Sequence, residues 1–427
     1  MKKLFAVLAL VLTLAACGGG DGGSSGSSST GSTGGSSSTS SPGGGSGSSS
    51  PTPPPSASVI ANVVKVVVDN SYNFINAPYV SVTICTPGTN NCATIDHVML
   101  DTGSVGLRLL RSAIPASLGL TNATDPVGGN TLAECSEFGA GHAWGPISTV
   151  DLKMAGETAS SLPMQIIDDS FATMPTNCAA FGPDMAANGA QSFGANGLLG
   201  VDVLRRDCLE GCDSPSSTLY YDCAGATCSP IAMPVADQLP NPISWFSRDN
   251  NGMTLSFPAV PAGGSASVTG TMTFGINTQS DNQQANLTKI VTTADATVSA
   301  SYNGQTLHGI LDSGSGAYFI PDTTITQCPS SFSTGTWFCP AQQVSRTATL
   351  QSELGGSVGV QFDIVNAMSE LSGNNSAHTG VGEDVNVFGA GLLDLGMPFF
   401  FGKTLTFGIQ SNDNFAAGVS PFFSIQS

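Results

Sequence analysis

The chain is poor in charge. Only 10% of its 427 residues are Asp, Glu, Lys or Arg, and 12 basic residues stand against 30 acidic ones for a formal net charge of −18. That balance argues against binding nucleic acid or an anionic membrane through a basic face. Long helical patterns are missing as well, which argues against a helical bundle. The apolar run Leu4 to Leu14 is too short to span a bilayer as a permanent helix. There are only 4 histidines, and a Ser/His/Asp triad through His142 or His378 lacks a strand-to-helix nucleophile elbow. Gly, Ser, Thr and Asn abound, and short β-branched apolar runs are bounded by turn residues. This composition predicts a mostly β chain, long enough for two domains of somewhat under 200 residues each.

Met1-Lys2-Lys3, the apolar run and Ala15-Ala16-Cys17 together have the charged, apolar and small-residue regions of an export signal. Residues 18–57 are almost entirely Gly, Ser, Thr and Pro. Such a segment cannot offset its ordering entropy by burial, so a disordered tether is expected, with an r.m.s. reach of roughly 35 Å. The rest divides into an expected N-terminal β lobe, 58–280, and a C-terminal β lobe, 281–427.

Besides Cys17 there are ten cysteines: Cys85, Cys92, Cys135, Cys178, Cys208, Cys212, Cys223, Cys228, Cys328 and Cys339. An even number in an exported chain reads as disulfides. Close spacing suggests Cys85 with Cys92, Cys208 with Cys212, Cys223 with Cys228 and Cys328 with Cys339, leaving Cys135 for Cys178. The alternative is zinc, because Cys208-x3-Cys212 and Cys223-x4-Cys228 superficially resemble metal spacings. No histidine lies nearby in sequence, so no metal or other cofactor is expected.

One pattern is written almost twice. His97-Val98-Met99-Leu100-Asp101-Thr102-Gly103-Ser104 returns as His308-Gly309-Ile310-Leu311-Asp312-Ser313-Gly314-Ser315. A second word follows each copy: Phe193-Gly194-Ala195-Asn196-Gly197-Leu198-Leu199-Gly200, and later Phe388-Gly389-Ala390-Gly391-Leu392-Leu393-Asp394-Leu395-Gly396. Two words in the same order imply an internally duplicated scaffold. Strands are expected over Val63–Val68, Tyr79–Ile84, Ala93–Leu100, Val291–Ala300, Gln305–Leu311 and Phe399–Ile409, with a turn from Cys85 to Cys92. Phe138 to Gly145 reads as a Gly-rich turn leading into the alternating Ile147 to Met154, an exposed hairpin. His97 and His308 lie four residues before their aspartates, about 13 Å along an extended strand, too far to bond them. Their symmetry points to a structural role in both lobes.

These islands, spread over residues 75 to 410, resemble the pepsin-like aspartic peptidases. Val80 to Pro87 followed by Asp101-Thr102-Gly103-Ser104 is similar to the family's first strand, Thr-Pro turn and first catalytic loop. Asp312-Ser313-Gly314-Ser315, with Pro321 beyond, is similar to the second, and Leu198-Leu199-Gly200 and Leu395-Gly396 to the segments supporting each loop. The resemblance implies a bilobal acid-protease fold with two pseudo-symmetric β lobes and a cleft between them, working as a monomer on an extended peptide. It extends to an uncharacterised group of bacterial lipoproteins with the same two motifs. Leu14-Ala15-Ala16-Cys17 likewise resembles a lipobox, implying a lipidated Cys17, and Gly18 after it fits delivery to the outer membrane.

The expected chemistry follows from the paired acids. Two carboxylates face to face cannot both ionise, so one keeps a proton, as aspartic proteases illustrate. Asp101 and Asp312 would then share general-base and general-acid roles on a bound water. By the resemblance, Thr102 and Ser313 cross-link the loops, Ser104 and Ser315 bond the outer carboxylate oxygens, and Gly103 and Gly314 allow close approach. The family's flap Tyr and its Trp partner are replaced at the best-matching positions by Phe138, beside Gly139, and Arg108. A Phe can cover substrate without donating a hydrogen bond, and Trp144 is the candidate substitute. Those departures keep a second expectation open: a non-catalytic lipoprotein that holds a peptide or glycan in its cleft.

Overall fold

The computed structural model of the protein describes residues 61–332, 336–385, 391–413 and 420–426. The expected export signal, Cys17, the tether and Phe388-Gly389-Ala390 lie outside the described residues. Among the described residues the α-helices are four residues long, Thr176–Ala179, Ala190–Phe193 and Ala367–Glu370, and no helix is long and apolar enough to cross a membrane.

Two sheets make up the fold. The first takes β1 (Val63–Val68), β2 (Pro78–Cys85), β3 (Cys92–Asp101), β4 (Val105–Leu110), β5 (Thr131–Phe138), β6 (Gly141–Met154), β7 (Glu157–Ile167), β8 (Gly197–Val201), β9 (Tyr220–Ala224), β10 (Thr227–Pro230), β11 (Gly252–Ser256), β12 (Val268–Phe274) and β13 (Ile290–Val291). The second comprises β14 (Val298–Tyr302), β15 (Gln305–Asp312), β16 (Tyr318–Ile320), β17 (Val344–Gln351), β18 (Ser357–Ile364), β19 (Gly382–Asp384) and β20 (Leu392–Gly396). The chain then returns to the first sheet through β21 (Thr404–Gly408), which pairs with β11, and β22 (Phe422–Gln426). The protein is thus mostly β and bilobal, as expected. The strands around Val63, Tyr79, Ala93 and Gln305 fall where their β-branched content places them.

The duplicated words become one duplicated unit. β8 runs parallel to β3, with Asp101 opposite Gly200, and antiparallel to β4. β20 runs parallel to β15, with Asp312 opposite Gly396, and meets β16 in the antiparallel sense. Each aspartate therefore ends a strand, and its Gly-containing loop turns the chain to the far side of the supporting strand. β8 is buried along its whole length, which is why it reads as a near-continuous apolar run rather than an alternating one. One apolar cluster holds Leu100, Leu199, Leu311 and Leu395 together. Each leucine buried there is worth about 2 kcal/mol, so the core that stabilises the lobes also seats the loops.

Three expectations change. The hairpin of β5 and β6 is not exposed: eleven of the first twelve residues of β6 after Ala140 are buried among β5, β7 and β2, because every side of the strand has a neighbour. The Gly-rich turn there shrinks to Gly139-Ala140, since Gly141 to Gly145 already pair with β5. Val291 to Ala300 is not one strand, as Thr293 closes a turn with Ala296 and Thr297 that separates β13 from β14. Phe399 to Ile409 begins as a 3-10 turn, Met397–Phe399, and becomes a strand only at Thr404.

The five expected disulfides are formed: Cys85–Cys92, Cys135–Cys178, Cys208–Cys212, Cys223–Cys228 and Cys328–Cys339. The zinc alternative thereby loses its thiolates. Disulfides in this number mark an exported, non-cytoplasmic protein.

Candidate functional site

Asp101 and Asp312 are each 1% exposed and face one another at the ends of β3 and β15. Each carboxylate is held the same way by its own loop. Gly103 N–H donates to Asp101 Oδ1 at 2.8 Å and Ser104 Oγ to Asp101 Oδ2 at 2.5 Å. Gly314 N–H donates to Asp312 Oδ1 at 2.8 Å and Ser315 Oγ to Asp312 Oδ2 at 2.7 Å.

The loops grip each other. Thr102 Oγ1 donates to the Leu311 carbonyl at 2.7 Å and Ser313 Oγ to the Leu100 carbonyl at 2.8 Å. Gly103 and Gly314 face the opposite acid so closely that a Cβ on Gly103 would lie 2.6 Å from Asp312 Cγ, and one on Gly314 2.7 Å from Asp101 Oδ1. No other residue fits at either position without displacing a carboxylate.

Burial, followed by the charge of Asp101, pushes the Asp312 carboxyl well above the usual range; the Ser315 hydroxyl opposes the rise. The two acids therefore titrate as a coupled pair that keeps a proton between them. Two further carboxyls, one half-buried and one buried, lie near the pair, both outside the sequence reading of the site. Asp202 follows β8, donates its N–H to the Ser104 carbonyl and is raised chiefly by burial. Asp394 lies within β20, is fully buried and is raised chiefly by burial. Its signal was available, for an Asp inside Leu392-Leu393-Asp394-Leu395 has no business in an apolar strand unless it is neutral or partnered.

The remaining candidates lie elsewhere. Phe138 is buried in a cluster with Phe74, Tyr79, Met99 and Phe193, and Gly139 forms the hairpin turn beside it. Trp144 is fully buried against Cys135, Cys178 and Tyr221. The positions of Arg108 and Phe138 do meet, but through a guanidinium 5.9 Å from the ring centroid instead of a hydrogen bond. Arg108 is itself buried, paired with Glu134 at 2.5 Å and Asp207 at 3.4 Å, and donating to Ser136 Oγ at 2.7 Å. The two strand histidines differ: His97 bonds Ser71 Oγ at 2.9 Å, while His308 is exposed near Thr297. Among the described residues His142 is buried with neither ring nitrogen bonded, and His378 pairs with Glu370 at 3.2 Å. Among the described residues no group of three or more His, Cys, Asp or Glu is arranged to hold a metal ion.

No curated protein matches the sequence. Among solved structures, an aspartic proteinase from Irpex lacteus is similar, with 16% identity, a TM-score of 0.45, and coverage of 86% of this chain and 98% of that one. The family described as "Protein of unknown function (DUF3443)" matches residues 58–424, and to that family the chain belongs.

Proposed function

We propose that the protein is an exported aspartic endopeptidase that hydrolyses peptide bonds through Asp101 and Asp312. One observation carries the reading: two carboxyls from duplicated loops, buried, hydrogen-bonded and locked by equivalent partners, with burial and the neighbouring Asp101 pushing the Asp312 carboxyl up. A water bound between the acids would be deprotonated by Asp101 as it attacks the scissile carbonyl. Asp312 donates its proton to the carbonyl oxygen, stabilising the tetrahedral species, and later protonation of the amine releases the product. The step requires no nucleophilic side chain, metal or cofactor. Thr102 and Ser313 keep the acids in register, Ser104 and Ser315 fix their outer oxygens, and Gly103 and Gly314 leave room for the pair. The substrate is an extended peptide or unfolded protein, and both loops lie in one chain, which suits a monomer. Lipidation at Cys17 would hold the enzyme at the outer membrane on its tether, with no other membrane contact and no role for nucleic acid.

A second reading is favoured by the hairpin. In it the protein is a non-catalytic lipoprotein that holds a peptide or glycan. β5 is tied to Cys178 by a disulfide and flanked by β9, and His142 N–H bonds the Pro183 carbonyl at 3.0 Å beside the turn. A hairpin so restrained is poorly suited to open and close over a substrate.

Incubating the protein with an unfolded protein mixture from about pH 3 to 7, a window that brackets carboxylate titration, separates the two. Acid-favoured cleavage abolished by Asp101→Asn supports the peptidase. Equal inertness of two folded proteins overturns it and leaves the binding reading.

A further inference from the structure

The segment before β2 passes between the lobes within four residues. Phe74 and Ala77 pack in a first-lobe cluster with Tyr79, Met99 and Phe138, while Ile75 between them packs against Ala317, Phe319 and Trp337 of the second lobe. Asn76 completes the crossing. It is fully buried at a φ of 53°, a left-handed conformation that asparagine adopts more readily than most residues. Its backbone N–H donates to the Ser376 carbonyl at 2.7 Å.

The Asn76 side chain is saturated. Its Nδ2 donates to the Gly316 carbonyl at 2.7 Å and to the His378 carbonyl at 3.0 Å, and its Oδ1 accepts the His378 N–H at 2.7 Å. Two carbonyls and one N–H admit a single orientation of the amide. Gly316 directly follows Ser315, so the first lobe grips the second acid loop at its exit. That approach needs glycine, since a Cβ on Gly316 would lie 2.8 Å from the Ile75 carbonyl oxygen.

The two loops are held alike at one carbonyl and differently at the next. The Ser104 carbonyl accepts the Asp202 N–H at 2.9 Å and the Ser315 carbonyl the Met397 N–H at 2.7 Å, each within its own lobe. Val105, the counterpart of Gly316, has its carbonyl bonded by Arg108 Nη1 at 2.6 Å, from three residues further along the same loop and strand. The donor to Gly316 comes instead from 240 residues away. The first loop is therefore restrained from within its lobe, and the second from the opposite one.

We propose that Asn76 is a positioning residue of the acid pair: its amide holds the Gly316 carbonyl, and with it the loop that carries Asp312, in place against Asp101 from the first lobe. Thr102 and Ser313 tie the two loops where they begin; Asn76 ties the second where it ends. The inference rests on reading Asp101 and Asp312 as a working pair, but its first readout is independent of activity.

The test follows amide hydrogen exchange by NMR in the 15N-labelled protein and in Asn76→Gly, which removes the amide and still accepts a positive φ. The Gly314 N–H, which donates to Asp312 Oδ1, reports on the second loop, and the Gly103 N–H, which donates to Asp101 Oδ1, on the first. In the variant, exchange at Gly314 should rise on the order of tenfold, as expected for loss of a buried hydrogen bond, with Gly103 near its wild-type rate. Equal rises at both glycines would mean general destabilisation, and no rise at Gly314 would mean a loop held without Asn76; both results overturn the proposal. A measurement on the wild type alone covers the case in which the variant does not fold. There the side-chain amide protons of Asn76 should exchange at least about 100 times more slowly than those of exposed asparagines, and exchange at the exposed rate also overturns the proposal. In cleavage assays the variant should lose about tenfold in kcat with KM changed by less than about twofold, because displaced acids impair the chemical step more than binding. An inert wild type whose variant loosens at Gly314 alone loses the peptidase reading alone, whereas an active wild type whose variant exchanges unchanged at Gly314 loses this inference alone.

Discussion

Thr102 and Ser313, 211 residues apart, exchange hydrogen bonds: Thr102 N–H donates to Ser313 Oγ at 3.1 Å and Ser313 N–H to Thr102 Oγ1 at 2.9 Å. Each hydroxyl passes its own hydrogen to the carbonyl that precedes the opposite aspartate. The exchange is reciprocal because the two loops are copies of one another. It makes the relative position of the two acids a property of four buried hydrogen bonds.

Removing one hydroxyl should therefore loosen the pair and destabilise the fold. Ser313→Ala leaves the Leu100 carbonyl and the Thr102 N–H without a partner in the interior, at a cost of about 2 kcal/mol. Thr102→Val should cost a similar amount. Urea unfolding measures both, and cleavage rates should fall along with stability. A Ser313→Ala protein as stable as the wild type would show that the exchange contributes nothing.

Gly103→Ala should act on the site more than on the fold. Its Cβ would stand 2.6 Å from Asp312 Cγ, so the carboxyl must move, and a displacement near 1 Å in a reacting group costs on the order of 100-fold in rate. The expected outcome is a folded protein with kcat reduced at least that much. Unchanged kcat would remove the acids from the reaction.

The protein should be more stable in mild acid than at neutral pH. Asp202, Asp207, Asp312 and Asp394 are pushed well above the ordinary range, each primarily by burial, and burial raises Glu137 and Glu383 to about 7. A carboxyl raised on folding contributes stability that is fully present below its unfolded value, near pH 4, and lost as pH rises through its folded value. Asp322 and Asp413 run the other way: hydrogen bonds to Arg346, and to Arg206 and Arg205, outweigh burial and lower them. Their contributions are lost only on acidification below about pH 4. Thermal unfolding at pH 5, 6, 7 and 8 should show Tm falling by at least a few degrees across the series. A rising Tm would contradict the assignment of neutral buried acids.

The Cys135–Cys178 bridge should carry most of the disulfide stabilisation around the hairpin. It closes 43 residues of sequence, for which chain entropy gives about 4 kcal/mol. Replacing both cysteines with Ser should lower stability by up to that amount. The local pair Cys223–Cys228, separated by 5 residues, should matter less. Equal losses from both double variants would refute a loop-length effect.

What the sequence determined by itself is local or repeated. β-branched runs and turn residues placed β1, β2, β3 and β15, because strand formation there follows from adjacent residues. Close spacing paired four of the five disulfides, and counting assigned the fifth. Asp101 and Asp312 stood out because the same eight-residue pattern appears twice. Tertiary structure decided the rest, because the forces involved act between residues distant in sequence. The alternation of Ile147 to Met154 resembled an exposed hairpin until β2 and β7 buried its outer edge. Phe138 and Trp144 had the size of cleft-covering side chains, yet packing against Phe193 and Tyr221 drew both into the interior. The acid at Asp394 read as part of a support strand; only the packed sheet, which sets it opposite Ile310 and Phe319, left that carboxyl fully buried.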